Sequence, residues 1–206
     1  MRAINVLWRI VSSMAIGQKM DQKMDQKSVP AILFVGDSIT HGTDWGAYID
    51  FASVENIAVP GFATDDVKAQ IDLITKIAPD LISLKIGTND FGNPELDRAA
   101  EDVGARVSAI IEEIHSNLPN TKLIINSIAP RGKDFTERIH AANKIIKSAC
   151  NSPIEYLDLW PALSVDNWLK PEYLLQDGFD VHLSDSGYAA WREVLFPRIK
   201  ASLKID

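Results

Sequence analysis

The chain has 206 residues and a formal net charge of −7 at pH 7, with 46% hydrophobic and 24% charged residues. This length and composition are ordinary for one soluble globular domain with a substantial core. The acidic balance argues against nucleic acid or an anionic membrane surface as the main partner, and the single cysteine excludes an intramolecular disulfide bond.

Residues 1–28 are predicted to form an extension that precedes the folded domain. Its first half carries apolar residues at helical spacing: Ala3, Leu7, Ile10, Val11 and Met14. Arg9 interrupts this run, which is too short and too charged for a membrane span. A polar Gln-Lys-Met-Asp repeat follows between residues 18 and 27. We expect a cytoplasmic protein, with export left open by a weak signal-peptide character and a homo-oligomer left open if the extension packs against a partner subunit.

Residues 29–206 are predicted to form one domain in which strands and helices alternate. The predicted strands are Ala31–Val35, Val54–Val59, Leu81–Ile86, Lys122–Ser127 and Ile154–Leu159. The predicted helices are Thr64–Ile77 with Thr64 as N-cap, Pro94–His115, Phe135–Cys150 and Ser184–Leu203. This alternation predicts an α/β fold with three layers, in which helices cover both faces of a flavodoxin-like five-stranded parallel sheet.

Ser38 follows the first apolar strand, in the segment Gly36-Asp37-Ser38-Ile39-Thr40. The carboxyl edge of a parallel sheet is where open α/β folds place their ligands. The residues after Ser38 would begin a helix, whose free backbone N–H groups favour developing negative charge. Ser38 is therefore a candidate nucleophile, provided that the chain also supplies a base and oxyanion donors.

Gly61 and Asn89 follow the second and third strands, and so are expected beside Ser38 at the same sheet edge. A glycine N–H that a substrate can approach closely and a carboxamide donor are the parts of an oxyanion hole. Each residue alone is better explained by local structure, Gly61 as a turn glycine and Asn89 as an Asx-turn residue. Their convergence with Ser38 favours a functional role.

His182 is the candidate base among the four histidines. His115 and His140 fall in predicted amphipathic helices, and His41 follows Ser38 too closely, although it could line the mouth of the site. His182 precedes the last helix, where a loop can fold back over the sheet edge. Histidine suits this role because its ordinary pKa lies near neutrality.

Four segments resemble the conserved blocks of the SGNH, or GDSL, hydrolases, and they occur in the same order. They are Gly36-Asp37-Ser38-Ile39-Thr40, Asn56-Ile57-Ala58-Val59-Pro60-Gly61, Gly87-Thr88-Asn89-Asp90 and Asp180-Val181-His182. The resemblance extends over about residues 31–200 and implies a flavodoxin-like fold and metal-independent ester hydrolysis without a cofactor. It implies Ser38 as nucleophile and His182 as base. It also implies the Ser38 and Gly61 amides and the Asn89 side chain as oxyanion donors.

The aspartate of the triad is where this sequence departs from the family, which usually places it three residues before the histidine. Phe179 occupies that position here. We predict Asp180 as the triad acid, because side chains two residues apart in an extended segment share one face. Asp177 stays an alternative if a turn at Gly178 folds the chain back.

The expected substrate is a small-molecule ester, with acetyl esters, aryl esters and acetylated carbohydrate left open. Four aromatic residues could form a stacking surface for a sugar or could instead anchor the core and loops: Trp45, Trp160, Trp168 and Tyr173. The alternative function is a non-catalytic flavodoxin-like binding module for a flavin or nucleotide. That alternative is disfavoured because Asp37 would repel a phosphate at the loop after the first strand.

Overall fold

A computed structural model describes residues 29–205, so the predicted extension over residues 1–28 and the terminal residue 206 lie outside the described chain. Five parallel strands form the central sheet: β1 Ala31–Gly36, β2 Ser53–Asn56, β3 Leu81–Lys85, β4 Lys122–Asn126 and β5 Glu155–Leu157. Their spatial order is β2-β1-β3-β4-β5, which is the flavodoxin-like doubly wound order. The predicted fold class is therefore confirmed.

Eight α-helices belong to the described residues. They are α1 Ser38–His41, α2 Thr64–Lys68, α3 Ile71–Ile77, α4 Thr88–Gly92, α5 Ala100–Asn117, α6 Thr136–Ala149, α7 Trp160–Leu163 and α8 Asp185–Leu203. A small antiparallel hairpin, β6 Ser164–Val165 and β7 Trp168–Leu169, follows α7. It lies in the segment between β5 and α8.

The core is divided by the sheet into two apolar layers. One face packs against α2, α3, α5 and α6, with buried residues such as Val67, Ile111 and Ile139. The other face packs against α1, α7 and α8, with Trp45, Trp191 and Leu195 among its buried residues. Because the central strands are buried on both sides, they form nearly continuous apolar runs, which is why the sequence predicts them well.

The predicted N-cap at Thr64 and the predicted helix start at Pro94 are both wrong, and both corrections involve Asp90. Ala63, not Thr64, is the N-cap of α2, because the Thr64 hydroxyl donates to Asp90 at 2.6 Å. The helix predicted from Pro94 begins only at Ala100. The chain before it turns back so that the Arg98 amide donates to the Asp90 carbonyl at 2.9 Å. Side-chain and backbone contacts across the fold therefore override the local signals.

Residues 64–77 also form two helices rather than the single predicted one. The Gln70 amide donates to the Val67 carbonyl at 3.0 Å, a tighter turn that separates α2 from α3. The second strand is shorter than predicted, but the chain stays beside β1 beyond it, since the Val59 amide donates to the Gly36 carbonyl at 3.1 Å. This contact leads the chain toward Gly61 at the carboxyl edge of the sheet.

Candidate active site

Ser38 begins α1 directly after β1, where the sequence predicts the nucleophile. Asp37 is the N-cap of this helix, and its carboxylate accepts from the Ile39 amide at 3.0 Å. A side-chain acceptor at this position satisfies one of the free N–H groups of the first turn. The cap fixes the backbone of Ser38 at the edge of the sheet.

A buried ion pair lies beneath this turn. Lys85, at the end of β3, donates to both carboxylate oxygens of Asp37 at 3.0 and 3.2 Å and to the Thr88 hydroxyl at 2.8 Å. The side chains of Asp37 and Lys85 are each 1% exposed. Burial lowers the pKa of Lys85, and the neighbouring Asp37 carboxylate opposes that shift. The pair ties the Ser38 turn to the first turn of α4, which carries Asn89.

His182 lies opposite Ser38, with its Nε2 at 3.0 Å from the serine Oγ. The loop that carries it is held to the preceding segment by two backbone hydrogen bonds. The Leu175 amide donates to the His182 carbonyl at 2.9 Å, and the Ser184 amide donates to the Tyr173 carbonyl at 2.8 Å. This short antiparallel pairing places the imidazole over the sheet edge, as predicted.

Asp177, not Asp180, contacts the imidazole. Its carboxylate lies 2.5 Å from His182 Nδ1. The hydrogen bond to His182 lowers the pKa of Asp177, and the Phe179 amide, which also donates to this carboxylate, adds to the shift. An ionised carboxylate only accepts hydrogen bonds. Nδ1 must therefore carry the proton, which leaves Nε2 free to accept from the Ser38 hydroxyl.

The expected contact between Asp180 and His182 is wrong, because the carboxylate of Asp180 is bound elsewhere. One of its oxygens accepts from Arg131 Nη2 at 2.7 Å, and the other accepts from the Gly132 amide at 3.1 Å. Gly178, at φ +90°, turns the chain between the two aspartates. That turn is the one that the alternative assignment to Asp177 required.

Gly61 and Asn89 are brought together through the residue that follows the glycine. The Asn89 Nδ2 donates to the Phe62 carbonyl at 2.8 Å. A carboxamide has two N–H groups, so a second donor remains on Asn89. Gly61 has φ +83°, and a Cβ added to it would meet no atom within 4 Å. Its backbone is therefore open to close approach by a ligand.

A second buried carboxylate fixes these two residues relative to one another. Asp90, next to Asn89, accepts from the Thr64 amide at 3.1 Å and from its hydroxyl at 2.6 Å. Arg98 also donates to Asp90. The loop that contains Gly61 is thus bonded to the helix that contains Asn89, as a preorganised pair of donors requires.

The other histidines and the aromatic residues take mostly structural positions. His41 ends α1 and has its Nδ1 3.1 Å from the Ala58 carbonyl, while His140 of α6 packs on Trp160 with 3.9 Å between ring centroids. Trp45 and Trp160 are buried, so of the two alternatives for the aromatic residues these two take the core role. Trp168 and Tyr173 are half-buried, and the Tyr173 carbonyl accepts from the Ser184 amide beside His182.

Three residues that position the site were not predicted from the sequence: Lys85, Asp90 and Arg131. Lys85 could have been identified from the sequence, since it is the only charged residue of a largely apolar strand. Arg131 could not, because nothing local links it to Asp180, 49 positions away. Its guanidinium also lies over the Phe135 ring at 4.0 Å.

Within residues 29–205, no group of three or more His, Cys, Asp or Glu side chains is arranged to hold a metal ion. Over the same described residues, no helix is both long enough and apolar enough to cross a membrane.

Solved structures with the same fold include a GDSL-like lipase and a carbohydrate esterase. A GDSL-like lipase from Bacteroides thetaiotaomicron superposes with a TM-score of 0.78 at 18% identity, covering 93% of this chain and 97% of that one. A carbohydrate esterase family 3 structure from Talaromyces cellulolyticus gives a TM-score of 0.65 at 17% identity, covering 86% of this chain and 100% of that one. At these identities the likeness shows the fold alone.

Curated relatives are platelet-activating factor acetylhydrolase IB subunits. The beta homolog of Drosophila melanogaster is 25% identical over 146 residues, which cover 68% of this chain and 62% of the fly protein. The alpha2 subunit of Gallus gallus is 29% identical over 110 residues, covering 50% of this chain and 46% of that subunit. The chain thus matches less than two thirds of the length of either relative.

The GDSL-like lipase/acylhydrolase family model matches residues 34–190. That range contains the Ser38 turn, the two oxyanion candidates and the His182 loop. The resemblance drawn from the four sequence blocks is therefore confirmed, and carboxylic ester hydrolysis is the chemistry of that family. This chain belongs to the GDSL-like lipase/acylhydrolase family.

Proposed function

We propose that the chain is a serine esterase that hydrolyses short-chain carboxylic esters through an acyl-enzyme on Ser38. The observation that carries the proposal is the hydrogen-bonded line from Ser38 Oγ to His182 Nε2 at 3.0 Å and from His182 Nδ1 to Asp177 at 2.5 Å. A nucleophile in contact with a base that a third group orients is the signature of nucleophilic acyl transfer.

The first half of the reaction forms the acyl-enzyme. Ser38 Oγ attacks the ester carbonyl carbon, and its proton passes to His182 Nε2 while Asp177 stabilises the imidazolium. The carbonyl oxygen becomes an oxyanion, which accepts from the Ser38 and Gly61 amides and the Asn89 side chain. The carbon–oxygen bond to the alcohol then breaks, and the alcohol leaves with the proton from His182.

The second half returns the free enzyme. Water attacks the acyl carbon and gives its proton to His182 Nε2, and the same donors hold the second oxyanion. The bond to Ser38 Oγ breaks, the proton returns to that oxygen, and the carboxylic acid is released. Every proton and electron pair is accounted for by the ester, water, Ser38 and His182.

The proposed acyl group is small, with acetyl esters of sugars or aromatic alcohols as the substrates to test first. The relatives named for acetylhydrolase activity on platelet-activating factor and the structural neighbours described as carbohydrate and acetyl xylan esterases support this choice. Those names describe the other proteins, and the substrate of this chain is a proposal.

The test is hydrolysis of p-nitrophenyl acetate by the full chain and by Ser38→Ala. We expect the variant to fold as the parent does and to lose at least about 10³-fold in kcat, because the acyl-enzyme cannot form. A serine-directed phosphonate should label Ser38 alone. Turnover in the variant near the parental rate would contradict the mechanism, and a parent without turnover on any ester of a chain-length series would favour the non-catalytic binding module.

A further inference from the structure

Phe179 is an exposed aromatic residue held beside the candidate base. Its side chain is 61% exposed, yet its ring lies against the His182 imidazole, with 5.3 Å between centroids and 59° between the ring planes. Leu175, whose amide donates to the His182 carbonyl, is 44% exposed on the same loop. Two apolar side chains thus face solvent on the segment that carries the base.

The backbone around Phe179 is fixed on both sides. Its own amide donates to the Asp177 carboxylate at 3.0 Å. The next residue, Asp180, is bound by Arg131 and by the Gly132 amide. The Phe179 ring is therefore exposed to solvent on a segment whose backbone is held in place. Ligand sites are lined mainly by apolar and aromatic side chains, so this anchored apolar surface at the edge of the site is suited to contact a ligand.

The proposed chemistry determines which part of an ester would meet this surface. The leaving oxygen must receive its proton from His182 Nε2, so the alcohol portion lies on the side of the imidazole. The carbonyl oxygen lies on the side of Gly61 and Asn89. A ring packed against His182 therefore borders the alcohol portion rather than the acyl group.

We propose that Phe179, with Leu175 on the same loop, forms a subsite for the alcohol portion and selects alcohols that present a flat apolar ring face. An aromatic ring and the apolar face of a pyranose share this chemistry, because both can pack on a phenyl ring. The inference rests on the proposed ester hydrolysis and names the half of the substrate that determines specificity.

The experiment keeps the acetyl group constant and varies the alcohol. The kcat/KM values for phenyl acetate, acetylated xylo-oligosaccharide and methyl acetate are compared in the parent, Phe179→Ala and Phe179→Leu. We expect Phe179→Ala to lose about 5- to 20-fold on at least one ring-bearing ester, chiefly through KM, and less than about twofold on methyl acetate. Which ring-bearing ester loses more distinguishes the aryl from the sugar source.

Tyr48→Ala is the matched control, because Tyr48 is also an exposed aromatic residue but lies under the Arg192 guanidinium at 3.8 Å. It should change no ratio between substrates. An equal loss on all three esters with a shifted pH profile would overturn the proposal, since Phe179 would then act only by supporting His182. Unchanged kinetics on every ester would overturn it too.

A second series, in which the acyl group varies, distinguishes failure of the Phe179 subsite from failure of the proposed esterase function. Phenyl acetate and phenyl butyrate should lose the same factor in Phe179→Ala, because the subsite does not touch the acyl chain. A loss that grows with the acyl chain would contradict the assignment to the alcohol side. If the parent hydrolyses no ester, the proposed function fails; if it hydrolyses esters without selectivity at Phe179, only this inference fails.

Discussion

The two halves of the candidate site are built in opposite ways. The core half, Ser38 with Gly61 and Asn89, stands on carboxylates that are fully buried, and its ion pair between Asp37 and Lys85 is closed to water. The loop half, Asp177, Asp180 and His182, is held by side chains that stay partly in solvent, with 30% of the Asp177 side chain and 44% of the Asp180 side chain exposed.

The difference shows where the precision of the site comes from. In the core half, the geometry is set by strands and by buried polar groups that would be costly to leave unpaired. In the loop half, it depends on one glycine turn and on contacts to the loop after β4. Loss of the buried groups that support the core half should therefore reduce stability, and loss of the contacts that support the loop half should reduce activity while the fold persists.

The largest expected effect separates the two aspartates. Asp177→Asn should lower kcat by about 10⁴-fold, the cost of the equivalent change in a serine protease, because the imidazole loses its orientation and its counter-charge. Asp180→Asn should lower kcat by only about tenfold, since it loosens the loop but leaves Asp177 on the imidazole. Steady-state kinetics on p-nitrophenyl acetate measures both.

Both variants should retain the parental circular dichroism spectrum and melting temperature within a few degrees. Equal losses in the two variants would mean that the loop acts as one unit rather than through Asp177. A greater loss in Asp180→Asn would return the triad to the assignment that the sequence favoured.

The next largest effect concerns the buried ion pair of the core half and is measured as a change in the free energy of unfolding. Lys85→Met leaves the Asp37 carboxylate buried without its partner, which should reduce the free energy of unfolding by about 3–5 kcal/mol. Arg198→Met is the matched control, because it breaks an exposed pair with Glu155 at 3.1 Å and should cost less than about 1 kcal/mol. Chemical denaturation measures both, and similar values for the two variants would show that the buried pair does not anchor the Ser38 turn.

The smallest expected effect comes from replacing one glycine in each half of the site by alanine. Gly61 and Gly178 have φ of +83° and +90°, and an added Cβ meets no atom within 4 Å at either position. Alanine should therefore cost about 1–2 kcal/mol of backbone strain at each site. Gly178→Ala should nevertheless lose more activity, because the turn that brings Asp177 to His182 lacks the buried support that Asp90 provides near Gly61. A greater activity loss in Gly61→Ala would reverse the comparison.

The sequence predicts the core half better than the loop half, for a physical reason. The strand before Ser38 is a buried apolar run, and the strand order follows from right-handed connections, so Ser38, Gly61 and Asn89 could be placed at one edge by local rules. The choice between Asp177 and Asp180 depends on Arg131, which is distant in the sequence and competes for one of the two carboxylates. Spacing within an extended segment favoured Asp180, but Arg131 and the Gly132 amide bind its carboxylate, and the turn at Gly178 lets Asp177 reach the imidazole instead.

The most direct test of the account is to observe which carboxylate holds the imidazole. A proton shared between His182 Nδ1 and a carboxylate at 2.5 Å should give a far-downfield proton NMR resonance, assigned with labelled histidine and by its loss in His182→Gln. We expect this resonance to persist in Asp180→Asn and to disappear in Asp177→Asn. Its persistence in Asp177→Asn, with loss in Asp180→Asn, would contradict the account.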